Sequence, residues 1–351
     1  MMKYMMAAWL CATLAGSLPA AALAQAAPPP APVAAATDTA AARQALDGVS
    51  ATQWVAMRND MLSQLANAAP LADYRALAES GNARAQALLG FIYASEHSLV
   101  AGLAQDLPQA AGWFRLAVKQ GDVPAHVGLG LLTLHGMGAA RDDAEAARLF
   151  RYAADRGSSA GQANLGDLHI EGRGVPQDPT AAASLYRLAA EQGHMNAQTN
   201  LAALYAQGWG VRQDDAEAMR LYRLAAAQGS TQAYVGLGNL YRTGQGVPQD
   251  YAEAARLYRQ AADGNDDVGK LYLGHIYAAG LGVTRDYAEA ARWYELSARQ
   301  GNPQALGNLA ELYLRGWGVA QDAAMGRRLM QAAAERGHGP ARDWLAANPA
   351  P

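Results

Sequence analysis

The sequence predicts an all-α fold, a right-handed α-solenoid of about seven helix pairs with capping helices at both ends. The main observation is that aspartate recurs every 36 residues along most of the chain. A glycine precedes each of these aspartates by four residues, and an aromatic residue follows six of the seven by eight. Self-similarity at this length is typical of stacked repeats and not of one globular enzyme domain. The repeated aspartates are Asp106, Asp142, Asp178, Asp214, Asp250, Asp286 and Asp322.

The first 24 residues predict an export signal that is removed from the mature chain. Lys3 precedes an apolar run over residues 7–18, and a small-x-small cleavage site ends at Ala24. That run is too short to span a bilayer, and no comparable run follows, so we expect no transmembrane segment in the mature chain. The single cysteine, Cys11, lies within the signal, which excludes an internal disulfide and a cysteine zinc cluster. The predicted location is periplasmic or secreted.

Four regions follow the export signal. Residues 25–41 are rich in alanine and proline and predict a flexible linker. Residues 42–81 predict N-terminal capping helices, one of them starting at Ser50, and a degenerate half repeat. The repeats occupy residues 82–337, and residues 338–351 predict a C-terminal capping helix and a tail.

One unit, Gly229 to Asn265, illustrates why each repeat predicts two helices. The apolar face of its first helix consists of Ala233, Leu237, Leu240 and Tyr241. The glycines and proline of residues 244–248 end that helix. Asp250 begins the second helix as its N-cap, and Glu253 completes the pattern of a capping box. A glycine ends the second helix in most units, where a left-handed residue is needed, and Asn265 replaces it once.

Small residues recur at one height of the first helices, which predicts that neighbouring helices approach closely there. No single unit can bury its apolar face alone, so stability should come from stacking of adjacent units. These small residues are Gly130, Gly166, Ala202, Gly238, Gly274 and Ala310.

The recurring residues form the pattern A-x-x-x-L-G-x-x-Y-x-x-G-x-G-V-x-x-D-x-x-x-A-x-x-x-Y-x-x-A-A-x-x-G, which resembles the Sel1-like repeats, relatives of tetratricopeptide repeats. The resemblance covers residues 82–337. It implies a solenoid whose first helices line the concave surface, and a role in envelope assembly, secretion, signalling or host contact. The first copy departs from the pattern, because Val100 replaces a loop glycine and four extra residues separate Gly81 from Gly121.

Charge and motifs give little support for catalysis or for nucleic-acid binding. The chain has 28 Lys plus Arg against 31 Asp plus Glu, so no general electrostatic attraction to nucleic acid exists. Residues 157–161 satisfy G-x-S-x-G around Ser159, but the repeat predicts a helix before them and the nucleophile elbow needs a strand. Residues 264–271 resemble a phosphate loop but end in Leu271, which lacks the hydroxyl for magnesium. His169 occupies a slot that tyrosine fills in other units, so we interpret it as a packing residue.

No catalytic residue, cofactor or metal site is therefore predicted. The histidines form no i, i+4 pair, and the repeated aspartates are interpreted as helix caps instead of calcium ligands. Some cysteine-rich members of the resembled family carry a β-lactamase label. This chain lacks those cysteines, and none of its lysines has a serine three residues before it.

Recognition of a partner should fall on slots that vary between units, because the slots that hold the stack repeat. One such series flanks the apolar stripe of the first helices, and its members lie three and four residues apart on one helix face. Stacking would align them into a continuous polar surface, which we call the ribbon; an ordinary solvated face is the alternative. The ribbon consists of Asn164, Asp167 and Glu171; Asn200, Ala203 and Gln207; Gly236, Asn239 and Thr243; Tyr272, His275 and Ala279; and Asn308, Glu311 and Arg315.

Two tryptophans between the loop glycines, Trp209 and Trp317, are further candidates for partner contact. An exposed indole offers a large contact area at low entropy cost. The alternative is that each indole folds over the neighbouring repeat.

The predicted function is an exported, non-catalytic scaffold that binds a protein or peptide partner of unknown identity in its groove. The oligomeric state and the pathway stay open. One alternative is a cell-envelope hydrolase resembling a β-lactamase, and a second is a component of a polysaccharide-export complex.

Overall fold

A computed structural model describes residues 39–49, 69–95 and 104–349. These residues form 17 α-helices and no β-strand. The helices are α1 (Ala40–Asp47), α2 (Leu71–Glu79), α3 (Ala83–Ala94), α4 (Leu107–Lys119), α5 (Val123–His135), α6 (Asp143–Asp155), α7 (Ser159–Glu171), α8 (Pro179–Glu191), α9 (Met195–Gln207), α10 (Asp215–Ala227), α11 (Thr231–Thr243), α12 (Tyr251–Asp263), α13 (Asp267–Ala279), α14 (Tyr287–Arg299), α15 (Pro303–Arg315), α16 (Ala323–Glu335) and α17 (Gly339–Ala347).

Several predictions from the sequence lie wholly or partly outside the described residues. The export signal of residues 1–24 and the capping helix that starts at Ser50 are among them. Only residues 39–41 of the predicted linker are described, and they differ from the prediction because α1 begins at Ala40. Within the described ranges, no helix has the length and apolar character needed to cross a membrane.

The helices α3 to α16 form seven consecutive pairs in which each helix packs against the next along the chain. The first helices of neighbouring pairs also touch one another, as α9 touches α11 and α11 touches α13. This is the arrangement of an all-α solenoid, and it confirms the fold class that the 36-residue period predicts.

An aspartate begins every second helix, as the sequence predicts. Asp250 Oδ1, for example, accepts a hydrogen bond from the backbone N–H of Glu253 at 3.0 Å. The reciprocal half of the predicted capping box is wrong. The Asp250 N–H donates instead to the carbonyl of Tyr241 at 2.9 Å, and the Glu253 carboxylate pairs with Arg256 at 2.6 Å. The backbone group that the glutamate would reach is therefore already bonded to the first helix of the same repeat.

In the four of these repeats whose small residue is glycine, the aromatic residue of the second helix packs directly on that glycine of the first helix. The Tyr186 ring covers Gly166, and a Cβ built on that glycine would lie 2.7 Å from Tyr186 Cε1. The same test on Gly238 gives 2.5 Å to Tyr258 Cε1. Both rings are buried, so the predicted close approach is occupied by an aromatic side chain instead of by a second backbone.

The loops also use glycine where the backbone must turn left-handed. Gly174 has φ +66°, and a Cβ there would meet the carbonyl oxygen of Asp143 in the preceding repeat at 2.0 Å. Asn265 is the one non-glycine residue with positive φ in the described ranges, at 66°. It ends α12 as the sequence predicts, because asparagine tolerates this conformation better than other side chains do.

The four extra residues of the first repeat do not disturb the hydrogen bond that joins its two helices. The Asp106 N–H donates to the Tyr93 carbonyl at 2.9 Å, which is the bond that Asp142 makes to Thr133 in the next repeat. The insertion is therefore accommodated between Tyr93 and Asp106. At the other end, Ala341 and Trp344 of α17 pack on the apolar surface of the last repeat.

Candidate functional site

The ribbon predicted from the sequence lies on five successive first helices, α7, α9, α11, α13 and α15. Its members touch between repeats. Asn200 Nδ2 donates to Asp167 Oδ1 at 3.1 Å, and Asn308 Nδ2 lies 2.7 Å from His275 Nε2. Both pairs are 33 residues apart, so the same two slots meet at two different joints.

The middle slot of the ribbon also bonds to the buried tyrosine of the second helix in its repeat. The Tyr186 hydroxyl donates to Asp167 Oδ1 at 2.6 Å, and the Tyr258 hydroxyl donates to Asn239 Oδ1 at 2.8 Å. Asp167, Asn200 and Asn239 are half-buried. The inner part of the ribbon is therefore a hydrogen-bonded seam between helices as well as a surface.

Burial changes the acid–base properties of this seam. Removal from water raises the pKa of Asp167 to about 7, although the hydrogen bonds from Tyr186 and Asn200 favour the charged form and lower this pKa. Burial and the neighbouring Asp167 raise the pKa of Tyr186 well above its ordinary value. Burial lowers the pKa of His275, and the charge of Arg242 lowers it further. A neutral His275 fits its contact with Asn308, whose amide then donates to the unprotonated ring nitrogen.

The outer slots of the ribbon are more accessible. Gln207 is exposed and makes no side-chain hydrogen bond within the described residues. Thr243 is exposed as well, and its hydroxyl donates to the Asn239 carbonyl at 2.8 Å. Arg315 is exposed too, and it forms an ion pair at 2.8 Å with Glu311 of the middle slot. Gln207, Thr243 and Arg315 are therefore accessible to solvent and lie outside the hydrogen-bonded seam.

Two further ribbon residues bond within their own helix or loop. Asn164 Nδ2 donates to the Ala160 carbonyl at 2.8 Å, and Glu171 pairs with Arg173 at 3.3 Å. Arg173 also pairs with Asp143 of the preceding repeat at 2.9 Å. Arg173 therefore links two repeats, because it forms one ion pair within its own repeat and one with the preceding repeat.

Arg242, near the end of α11, was not among the residues predicted from the sequence, and its side chain contacts both α11 and α13. Its Nε is 3.4 Å from Asn239 Oδ1, and its guanidinium lies over the Tyr272 ring at 5.6 Å. The Tyr272 ring in turn stacks on Tyr258 with centroids 4.8 Å apart. The signal was present in the repeat alignment, because Arg242 occupies a slot where the other first helices carry Ile170, Ala206, Ala278 and Leu314.

The two loop tryptophans differ in their surroundings. Trp317 stacks on Tyr287 of the preceding repeat at 5.1 Å, and the Arg315 guanidinium lies 4.5 Å from its ring centroid. It nevertheless remains 37% exposed. Trp209 is half-buried. Trp317 thus packs on the neighbouring repeat and on Arg315, and part of its indole stays accessible.

The residues of the G-x-S-x-G motif form the start of a helix of the repeat. Ser158 caps α7 by accepting from the Gly161 N–H at 3.1 Å, and Ser159 is the buried first residue of that helix. The preceding element is helix α6, so no nucleophile elbow is formed at Ser159. Among the residues that the structure describes, no three histidine, cysteine or acidic side chains are gathered in a way that could hold a metal ion.

The second helices carry a different feature, a groove that recurs between successive repeats. One groove of about 340 Å³ is lined by Arg223, Tyr241 and Glu253 among others. The equivalent groove two repeats later measures about 230 Å³. In the intervening repeat Trp293 stands in this position, and its Nε1 donates to Glu289 at 2.9 Å.

Comparisons with known proteins agree with this geometry. The Sel1 repeat model matches residues 83–122, 123–158, 159–194, 196–230, 231–266, 269–302 and 303–338. A protective antigen of uropathogenic Escherichia coli that displays an SLR fold is 31% identical, with a TM-score of 0.60; the match covers 89% of this chain and 67% of that one. A Sel1 repeat protein from Oxalobacter formigenes is 29% identical, with a TM-score of 0.64 over 71% of this chain and 96% of that one. No curated protein sequence matches significantly.

Proposed function

Because this chain belongs to the Sel1 repeat family, whose fold is generally a scaffold for protein–protein interaction, we propose that it binds an extended segment of a partner protein along the ribbon. Binding would rest on shape and hydrogen bonding over several repeats, with no bond made or broken. The observation that carries the proposal is the contact between ribbon slots of neighbouring first helices, seen at two of the four joints, α7 to α9 and α13 to α15.

The dimensions of the ribbon suit an extended peptide. Packed helices lie about 8–10 Å apart, so five successive first helices span about 40 Å between the outermost axes. An extended chain advances about 3.3 Å per residue, so about twelve residues would cover this distance. The groups that line the path include amides, a hydroxyl and an imidazole, which can bond to a peptide backbone.

The proposal includes export and a role in the cell envelope, in assembly, secretion or signalling. It rests on the export signal predicted over residues 1–24. Cell fractionation and N-terminal sequencing test this part, and a mature chain that starts at Gln25 in the periplasm or medium is expected. A cytoplasmic protein that retains Met1 would contradict the export proposal, but it would not affect the binding proposal.

Site-specific photocrosslinking in living cells, followed by mass spectrometry, tests the binding proposal. The crosslinker belongs at Gln207 and Thr243, which are exposed, instead of at Asn239, whose amide holds Tyr258. Gln331, an exposed residue of the second helix α16, is the matched control. The same partner crosslinked from Gln207 and Thr243 but not from Gln331 is expected. Crosslinks from Gln331 alone would contradict the proposal.

A further inference from the structure

Arg242 differs from the other arginines beside the ribbon because it has no acidic partner. Arg173 pairs with Asp143 and Glu171, and Arg315 pairs with Glu311. Among the residues that the structure describes, no carboxylate forms an ion pair with Arg242, although the side chain is half-buried.

Neutral groups hold the Arg242 guanidinium in place. The Asn239 amide oxygen lies 3.4 Å from Nε, and the Tyr272 ring lies below the guanidinium plane. The charge also reaches the Tyr258 hydroxyl, where it opposes part of the rise in pKa that burial causes. A guanidinium has five N–H donors in a planar fork that matches a carboxylate, and these contacts leave most of the donors for another acceptor.

A half-buried charge without a counter-ion is costly, and the addition of a carboxylate would recover part of that cost. Resting on the function proposed above, we infer that Arg242 is the site on the ribbon that binds an acidic side chain, aspartate or glutamate, of the partner segment. Asn239, Tyr272 and His275 form the walls of this site.

The position of Arg242 favours an internal acidic side chain over a C-terminal carboxylate. The ribbon continues over α7 and α9 on one side of α11 and over α13 and α15 on the other. A segment that ended at Arg242 would leave about half of these first helices uncovered. A segment that passes Arg242 can use the full ribbon and place one carboxylate at its centre.

His275 supplies a reporter that does not depend on affinity. The charge of Arg242 contributes to lowering its pKa, so a carboxylate placed against Arg242 should offset that contribution and raise the pKa of His275. A bound peptide that carries glutamine at the same position should not produce this rise.

The test selects binders from a displayed library of random peptides of about twelve residues, the length of the ribbon, against the full chain. Selected peptides are then synthesised with glutamate or glutamine at the enriched position and with a free or amidated C-terminus. We expect the change from glutamate to glutamine to weaken binding about tenfold, as for one charge-assisted hydrogen-bonded pair, and Arg242→Gln to abolish that difference. Arg242→Lys should restore only part of it because the planar fork is lost.

The controls separate this inference from the proposed function. Arg256→Gln, on α12 and paired with Glu253, should leave the glutamate preference unchanged. NMR titration should show the pKa of His275 rising with the glutamate peptide only. Suppose that a bulky Gln207→Trp substitution blocks peptide binding but the peptides show no preference for an acidic residue. That result would overturn the Arg242 site and leave the proposed function in place. A preference that survives Arg242→Gln, or one that requires the free C-terminus, would also overturn it. Binders indifferent to every ribbon substitution would overturn the proposed function itself.

Discussion

Asn200 Nδ2 and the Tyr186 hydroxyl donate to the same oxygen of Asp167, at 3.1 and 2.6 Å. The Asn200–Asp167 bond joins two repeats, and the Tyr186–Asp167 bond joins the two helices of one repeat. Side chains that vary along the ribbon therefore also form hydrogen bonds across the joint between repeats. A partner that competes for these groups would act on the joint as well as on the surface.

Asp167→Asn should change how stability depends on pH. The folded-state pKa of Asp167 is about 7 and its ordinary value is 3.8, so the folded protein binds this proton more tightly than the unfolded chain does. This carboxyl therefore makes its full contribution to stability below about pH 4, and stability falls as pH rises towards 7. Between pH 5 and 8, the melting temperature of Asp167→Asn should rise relative to that of the wild type as the pH increases.

Asp143→Asn is the control for that titration. Its hydrogen bonds to Arg173 and Arg141 hold the pKa of Asp143 well below its usual range, so the group stays ionised over this whole window. The difference in melting temperature between Asp143→Asn and the wild type should change little from pH 5 to 8, with a small part from His135, whose pKa the Asp143 charge raises. A constant difference for Asp167→Asn as well would contradict the assignment of the raised pKa.

Gly238→Ala should destabilise the fold by about 1–3 kcal/mol, because a new Cβ 2.5 Å from Tyr258 Cε1 forces the helix and the ring apart. Gly112→Ala is the matched control, since no heavy atom lies within 4 Å of its Cβ position and alanine favours a helix. Denaturant unfolding should show a loss for the first variant and no loss for the second. Equal effects would mean that helix propensity dominates over packing.

Asp250→Ala should cost about 1 kcal/mol of unfolding free energy, because it removes the acceptor for the Glu253 N–H at the start of α12. Asp263→Ala removes an exposed acid from the last turn of the same helix, where negative charge is unfavourable. Chemical denaturation should therefore show the first variant weaker than the wild type and the second equal or stronger. The reverse order would refute the capping assignment.

Trp317 and Tyr287 should show an interaction energy of about 0.5–1.5 kcal/mol in a double-mutant cycle, the range for a stacked aromatic pair. The rings lie 5.1 Å apart between two repeats. Alanine replacements, singly and together, with unfolding monitored by circular dichroism, measure this energy. Additive losses would show that the indole does not hold the neighbouring repeat.

The sequence by itself determined the fold class and most of the helix boundaries. Asp250 begins α12 and Asn265 ends it because capping and left-handed backbone are local properties of those residue types. Because the same residue types recur every 36 residues, the interpretation of one unit applied to the other six. The ribbon could also be placed on one face, since helical spacing is a local property.

Only the tertiary structure decided which ribbon residues are used internally. Asp167 and Gln207 both read as polar residues of one face, yet the first is bonded to Tyr186 and Asn200 and the second is exposed. Likewise, the Glu253 side chain matched a capping box but pairs with Arg256. Partners 19 or 33 residues away and the burial between them depend on how helices pack, and spacing within one helix does not contain that information.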